Sequence, residues 1–284
     1  LIGHKNIFDE LKLLNKQGVL PKKILLNGKE GIGKSILIKN LIMLMFPKEK
    51  NLEILIENKT HQNEFLVEKK NDKKNIEISQ IRDLIKFQNS SSFNNKPKII
   101  VIDVVQFLNM NSSNALLKVL EEPNSKIYFF LINNSDYKIL ETIKSRCLEF
   151  KTKINYDETK LIVNNYFDKN IFQNLSEDFL LIYSSPSFII SMIGFFNENK
   201  LDYEKITIDE LLSIIISKKV YISNFFVKQN LIFFIELFFY KKIKIQKNYF
   251  LLKIYFYKKF SNIIKYNLDL ENFFLEFKYR LLRE

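Results

Sequence analysis

Short apolar runs alternate with amphipathic segments along the first half of the chain. Buried parallel strands are typically short apolar runs bounded by turn residues. Four such runs occur, at residues 24–26, 99–103, 127–132 and 147–150. Apolar positions at helical spacing predict helices over residues 5–20, 35–45, 79–88, 111–122 and 136–144. This alternation predicts an α/β fold with a parallel sheet covered on both faces.

Several details of these elements can also be predicted. Ser79 is a candidate cap for the third helix, and Pro123 should end the fourth. Two further apolar runs lie at residues 52–56 and 65–67. They indicate one or two more buried elements before the charged turn at 69–74.

The second half of the chain has a different pattern. Strand signals stop after about residue 153, and helices are predicted over residues 157–167, 176–183 and 188–197 and from about 205 to 284. The change predicts three domains: an α/β domain over residues 1–150, a small helical domain over 151–204 and an all-helical domain over 205–284.

Composition excludes several classes of protein. With 46% hydrophobic and 27% charged residues, the chain is too apolar to be disordered. Its one cysteine, Cys147, excludes an internal disulfide and a CxxC zinc site, which favours a reducing, cytoplasmic location. The long uncharged run 179–197 is broken by the polar turn 184–187, so we expect two short helices rather than a membrane span.

The chain carries a net charge of +12. Such a surplus fits contact with nucleic acid or another polyanion. The abundance of Lys, Asn, Ile, Phe and Tyr, with no Trp, also fits a protein encoded by AT-rich DNA. The net charge alone therefore does not show whether the surplus of lysine serves a function or reflects AT-rich coding DNA.

Residues 28–35 match the phosphate-binding pattern GxxxxGK[ST]. Gly28, Gly31 and Gly33 allow the backbone to wrap a phosphate with its N–H groups, and the following helix presents its positive end. Lys34 would reach the β- and γ-phosphates of ATP or ADP, and the Ser35 hydroxyl would bind Mg²⁺. Because a strand precedes the loop and a helix follows it, we interpret the motif as a nucleotide site.

Asp103 ends the second strong strand, where the Mg²⁺-binding acid of a P-loop ATPase belongs. In active ATPases of this kind the next residue is usually a glutamate that activates the attacking water. Here it is Val104. Loss of a general base typically costs ~10²–10⁴ in rate, so we expect weak or absent hydrolysis.

Three motifs in this order resemble the clamp-loader branch of the AAA+ ATPases. They are the P-loop with Asp103, the segment NALLKVLEEP at 114–123, and the triplet Ser-Arg-Cys at 145–147. The resemblance implies a P-loop AAA+ domain, a helical lid and a helical collar. It also identifies Asn134 as sensor 1, a polar group near the terminal phosphate, and Arg146 as an arginine finger that reaches a neighbouring subunit.

The same resemblance implies partners. The chain would sit in a hetero-pentamer with gamma/tau and delta subunits, and would help to load the sliding clamp onto primer-template DNA, with no membrane involved. Within the branch it is closer to the delta-prime type than to the gamma/tau motor type. Val104 replaces the catalytic glutamate, and Phe188 replaces the sensor 2 arginine. The four zinc-binding cysteines that are usual in gamma/tau, and present in many delta-prime chains, are absent.

Two other functions remain open. An active AAA+ motor, of the gamma/tau or another type, would need a catalytic glutamate at a position other than 104. A P-loop kinase would leave the motifs at 114–123 and 145–147 unexplained.

The basic, aromatic segment 205–284 likewise has two interpretations, as an interface with sister subunits or as a core that uses Phe instead of Leu. DNA contact by Lys241, Lys242, Lys244 and Lys247 is a less favoured possibility, because a charged run is usually a solvated face.

Overall fold

The computed structural model describes residues 2–47, 51–70, 73–121, 126–180 and 184–282. The chain folds as two compact units. The first comprises Leu1–Leu161 with Ser185–Ser187, and the second Ile162–Ser184 with Phe188–Glu284. Pro123 and the last residues of the helix predicted over 176–183 lie outside the described residues.

The first unit contains a parallel sheet, and its described residues form five strands in the order β2-β3-β4-β1-β5. The strands are β1 (Lys23–Gly28), β2 (Glu64–Val67), β3 (Lys98–Ile102), β4 (Ile127–Asn134) and β5 (Leu148–Lys151). The four predicted strands and the predicted fold class are confirmed. The fifth strand, β2, forms from the apolar run 65–67 and lies at the edge of the sheet.

Helices cover both faces of this sheet, which explains why the central residues of β1, β3 and β4 are apolar and buried. They are α1 (Lys5–Lys16), α2 (Lys34–Met45), α3 (Leu52–Glu57), α4 (Ile78–Asn89), α5 (Met110–Glu121) and α6 (Glu141–Lys144). Successive residues of a strand point to opposite faces. Accordingly, Ile24 and Leu26 of β1 join the apolar cluster formed with α1 and α2, whereas Leu25 joins the cluster formed with α4 and α5.

Local hydrogen bonding explains two differences from the predicted helices. The cap of α4 is Glu77, which forms a reciprocal capping box with Gln80, so the prediction of Ser79 was wrong. The helix predicted over 136–144 is reduced to α6. The preceding residues form a turn in which the side chain of Asn134 accepts from the N–H of Asp136 at 3.1 Å, as Asn commonly does in turns.

The second unit is helical. The boundary between the units falls within α7 (Tyr156–Phe167) and again within α10 (Pro186–Glu198), whose first two residues belong to the first unit. The remaining helices of the second unit are α8 (Ile171–Asn174), α9 (Glu177–Leu180), α11 (Ile208–Ser217), α12 (Val220–Ser223), α13 (Phe225–Ile245), α14 (Tyr249–Tyr266) and α15 (Glu271–Leu281). No helix of the described residues is both long enough and apolar enough to cross a bilayer.

Phenylalanine side chains form much of the core of the second unit. Phe238, Phe239, Phe256 and Phe277 of α13, α14 and α15 are fully buried, with neighbouring ring centroids 5.1–6.1 Å apart. Stacked and edge-to-face aromatic pairs at such distances add to the energy of burial. The prediction of a phenylalanine core is therefore confirmed for these positions, while the role of the exposed aromatic residues as an interface stays a prediction.

The predicted boundary near residue 204 falls within one apolar cluster. Phe196 of α10 and Phe234 of α13 belong to the same set of buried side chains. The separation of a lid at 151–204 from a collar at 205–284 stays a prediction.

Candidate nucleotide-binding site

Three of the predicted site residues lie at one edge of the sheet. Gly28 is the last residue of β1 and pairs in register with Asn134, the last residue of β4. Asp103 directly follows β3, and its N–H donates to the carbonyl of Val67 at 2.8 Å. Since β4 lies between β1 and β3, the carboxyl ends of adjacent parallel strands bring these residues to one edge, where ligands bind in open α/β sheets.

The loop after β1 has the backbone that a phosphate cradle requires. Gly31 and Gly33 have φ values of +72° and +89°, in the left-handed region that favours glycine. Gly28 is constrained differently, because a Cβ there would lie 2.4 Å from the carbonyl oxygen of Thr152. The loop leads directly into α2, whose N-terminus presents unpaired N–H groups to an anion. These residues fit a bound phosphate group.

Lys34 is held inside this loop. Its side chain is only 6% exposed, and Nζ donates to the carbonyl of Gly28 at 2.7 Å and to that of Lys29. Burial lowers the pKa of Lys34 to about 8, and the nearby carboxylates of Asp103 and Glu30 partly oppose this effect. The ammonium group therefore stays protonated at neutral pH, as a phosphate-binding lysine must.

Asp103 is a mostly buried carboxyl group. Burial raises its pKa, whereas a hydrogen bond from the backbone N–H of Val104 and the charge of Lys34 favour the ionised form. Ser35 is exposed in the first turn of α2. A hydroxyl and a carboxylate are ligands that Mg²⁺ accepts together with phosphate oxygens. No group of three or more His, Cys, Asp or Glu side chains is placed to hold a metal ion within the described residues.

Val104 places an aliphatic side chain immediately after Asp103. Its backbone is left-handed, with φ 55° and ψ 52°. A β-branched residue rarely adopts this conformation, and the strained residues of proteins are often found near functional sites. The position expected to carry a water-activating carboxylate therefore carries a strained valine.

Asn134 is buried and makes polar contacts through three groups. Its side-chain nitrogen approaches Oε2 of Glu30 at 3.4 Å, and its backbone N–H donates to Oε1 of Gln106 at 3.2 Å. The third is the bond from the N–H of Asp136 described above. Sequence reasoning missed Glu30 and Gln106. Glu30 lies within the P-loop motif and could have been considered there, whereas Gln106 carried no signal.

A line of polar side chains crosses three strands next to this site. Asn133 donates to Asn27 at 2.9 Å, Asn27 donates to Glu149 at 2.7 Å, and Lys144 of α6 pairs with Glu149 at 3.3 Å. We call these four residues the strand-end polar line. Sequence analysis did not identify it, because its members are far apart in the chain and the register of the sheet brings them together.

Arg146 follows α6 and contacts two helices of the first unit. Its guanidinium donates to the carbonyl of Thr142 at 2.8 Å and pairs with Glu121 at 2.5 Å, and its side chain is 34% exposed. Glu121 belongs to the segment 114–123, so the two motifs that carry the clamp-loader resemblance contact each other directly.

The segment that resembles sensor 2 has two kinds of contact. In the first unit, the N–H of Ser187 donates to the carbonyl of Gly31 at 3.2 Å. In the second unit, Phe188 packs against Phe226 and Phe233, with ring centroids 5.5 and 4.5 Å away. The side chain at the position of the sensor 2 arginine is therefore part of an aromatic cluster.

Two of the lysines considered for DNA contact are paired with carboxylates of their own unit. Lys241 pairs with Asp178 at 2.7 Å, and Lys242 pairs with Asp209 at 2.5 Å. The carboxylate of Asp178 also accepts from the N–H of Ile208 at 2.9 Å. These contacts join α9, α11 and α13, which gives both lysines a structural role.

A family model and several named relatives match this chain, and the family model falls within the first unit. The model of the family described as "DNA polymerase III, delta subunit" matches residues 3–155. A Pseudomonas aeruginosa protein named DNA polymerase III subunit delta' is 36% identical over 90 residues, which is 32% of this chain and 27% of that protein. A delta' subunit of Buchnera aphidicola subsp. Baizongia pistaciae is 27% identical over 165 residues, 50% of this chain and 49% of the relative.

A subunit of another name also matches. The gamma subunit of Buchnera aphidicola subsp. Schizaphis graminum is 40% identical over 108 residues, which is 38% of this chain and 29% of that protein. The matched regions thus span between about a quarter and a half of the length of these relatives.

Proposed function

Because this chain belongs to the DNA polymerase III delta subunit family, in the clamp-loader branch of the AAA+ ATPases, we propose that it acts as a delta-prime-type subunit. In this role it helps a clamp-loader complex to place the sliding clamp on primer-template DNA. Its partners are gamma/tau and delta subunits in a hetero-pentamer. The proposal is supported by the delta' relatives and by the three departures from the motor pattern at positions 104, 188 and the missing cysteines.

Nucleotide binding is the first part of the proposal. The N–H groups around Gly31 and Gly33 and the ammonium group of Lys34 hold the phosphates of ATP or ADP. Ser35 and Asp103 hold Mg²⁺, which would neutralise phosphate charge when it is bound. The left-handed glycines and the buried lysine support this assignment.

The single observation that carries the proposal is Val104 at the position after Asp103. An isopropyl group cannot accept a proton from water, so the chain's own site lacks general-base assistance worth ~10²–10⁴ in rate. The subunit holds nucleotide and hydrolyses it slowly or not at all.

Arg146 is the residue that this chain contributes to ATP hydrolysis in the nucleotide site of a neighbouring subunit. A guanidinium group supplied in trans stabilises charge during phosphoryl transfer and can contribute ~10³–10⁵ in rate. In this subunit Arg146 is partly exposed and paired with Glu121, an ion pair that is weak enough to exchange for a phosphate. Its position in the Ser-Arg-Cys triplet supports the same role.

Reconstitution with the gamma/tau and delta subunits tests the function. Tagged chain should recover both partners in stoichiometric amounts from its own cells. In the reconstituted complex, Arg146→Ala should lower ATP hydrolysis at least tenfold, whereas Arg82→Ala, at an exposed arginine of α4, should not. If the Arg146→Ala complex hydrolyses ATP and loads clamps at the rate of the original complex, the arginine has no role in trans.

An active motor is the second candidate function, because a gamma subunit is among the relatives and the P-loop lysine is retained. A phosphate-release assay on the purified chain distinguishes the two. Steady turnover that disappears in Lys34→Ala would support the motor and contradict the passive subunit. Turnover at background level supports the delta-prime type.

A further inference from the structure

Two side chains of the first unit offer nothing that binds a terminal phosphate. Val104, directly after Asp103, carries an isopropyl group with no charge and no hydrogen-bond donor. Glu30 brings a carboxylate to the phosphate loop itself. The glycines and the lysine of the loop that would hold the inner phosphates are all present.

Glu30 lies in the loop between Gly28 and Gly31, and its side chain is directed at the sensor 1 residue. Its Oε2 is 3.4 Å from the side-chain nitrogen of Asn134. The amide hydrogen that a terminal phosphate would accept is therefore shared with a carboxylate of the same chain. A terminal phosphate at Asn134 would have to replace this contact and would face a like charge.

The charged groups around Lys34 also disfavour an additional phosphate. The carboxylates of Glu30, Asp103 and Asp136 all lie near the ammonium group of this lysine. Glu30 also lies near the carboxyl group of Asp103. Glu30 therefore acts on both of the groups that would hold the phosphates and Mg²⁺. Because ATP carries one more negative charge than ADP, this carboxylate penalises ATP more.

We propose that the site prefers a nucleoside diphosphate to a triphosphate and that Glu30 is the residue that sets this preference. The inference rests on the proposed assignment of Asn134 as sensor 1. With this preference the subunit would bind a nucleoside diphosphate and retain it without hydrolysis.

Calorimetric titration of the purified chain with Mg·ADP and with Mg·ATPγS, a slowly hydrolysed triphosphate, tests the inference. The original chain should bind ADP at least tenfold more tightly than ATPγS. Glu30→Gln should raise the affinity for ATPγS about tenfold and change that for ADP less than threefold. Glu30→Lys should reverse the preference. Glu204→Gln removes one exposed carboxylate in the second unit and should leave both affinities unchanged.

Several results would overturn the inference. They are equal affinities for the two nucleotides in the original chain, tighter binding of ATPγS, binding of neither nucleotide, or a ratio that both Glu30 variants leave unaltered. A thermal melt of each variant confirms that it is folded. The proposed function is tested separately. If the chain prefers ADP but does not recover gamma/tau and delta subunits, the inference about Glu30 stands and the proposed function is wrong.

Discussion

The side-chain nitrogen of Asn27, on β1, donates to Oε1 of Glu149, on β5, at 2.7 Å. The same amide accepts from Asn133, which is 2% exposed, so one side chain satisfies polar groups on both neighbouring strands. Buried polar groups are costly unless they are hydrogen-bonded. This bond is also the largest cause of the lowered pKa of Glu149. Asn27 is therefore the central residue of the strand-end polar line, bonded to members on both sides. It lies one residue before the phosphate loop.

Removal of this amide should destabilise the first unit. Asn27→Ala leaves Glu149 and Asn133 without their shared partner, and we expect the free energy of unfolding in urea to fall by about 1–3 kcal/mol at pH 7. Because the folded-state pKa of Glu149 lies below its ordinary value of 4.5, the loss should shrink as the pH falls below that value. Asn40→Ala, at an exposed amide of α2, is the control and should be nearly neutral. Equal effects of the two variants would show that the line contributes nothing specific.

The sequence predicted β1, β3 and β4 and the loop after β1 because each depends on a local signal. A short apolar run such as 99–103, or glycines at fixed spacing, carries its meaning within ten residues. The contacts of Asn27 with Glu149, and of Arg146 with Glu121, depend instead on register and packing between distant segments. The spacing of residues along the chain therefore cannot predict these contacts.

In the aromatic helices of the second unit, too, the sequence predicts the helices but not which of their side chains are buried. Phe238 and Leu251 are both large apolar residues in long helices, yet the first is fully buried and the second is 73% exposed. Both helices carry large apolar residues on their exposed sides as well as on their buried sides, so periodicity does not separate the core face from the exposed face. Tertiary packing makes that distinction.

Lys34 should lower the stability of the protein in the absence of nucleotide. Because burial lowers its pKa to about 8, the folded state disfavours the ammonium form relative to the unfolded chain. This penalty is complete below pH 8 and is relieved as the pH rises toward 10.5. Lys34→Met should therefore raise the free energy of unfolding by about 1–2 kcal/mol at pH 7 and by less at pH 9.5. The same variant should lose nucleotide binding.

Urea titrations at the two pH values measure this effect. Lys16→Met, at an exposed position of α1, is the matched control and should change stability little at either pH. A Lys34→Met protein less stable than the original at pH 7 would mean that the bonds from Nζ to the loop carbonyls outweigh the cost of burial.

Glu64 should make stability depend on pH near neutrality. Burial raises its pKa to about 7, and its Oε2 has no hydrogen-bond partner among the described residues. A raised pKa means that the folded state favours the protonated acid, so stability falls as the pH rises from 4.5 to 7. Glu64→Gln should raise the free energy of unfolding by about 1–2 kcal/mol at pH 8 and have little effect at pH 4.5.

Unfolding curves at pH 4.5, 6 and 8 provide the measurement for Glu64. Glu10→Gln, on the exposed face of α1, is the control and should show no such trend. A stability gain that is the same at all three pH values would rule out titration of Glu64 as the cause.

Val104 should be a site where substitution increases stability. A side chain with a Cβ in the left-handed conformation costs ~1–2 kcal/mol, and the branched Cβ of valine makes this residue unfavourable at φ 55°. Asparagine enters the region more readily, so Val104→Asn should stabilise the protein by about 1 kcal/mol, which corresponds to a rise of ~2–4 °C in the melting temperature of the first unit. The neighbouring Val105 is 3% exposed, and Val105→Asn should destabilise the protein because it buries an amide in the apolar cluster. A loss of stability in both variants would show that the side chain of Val104 contributes packing that exceeds its backbone strain.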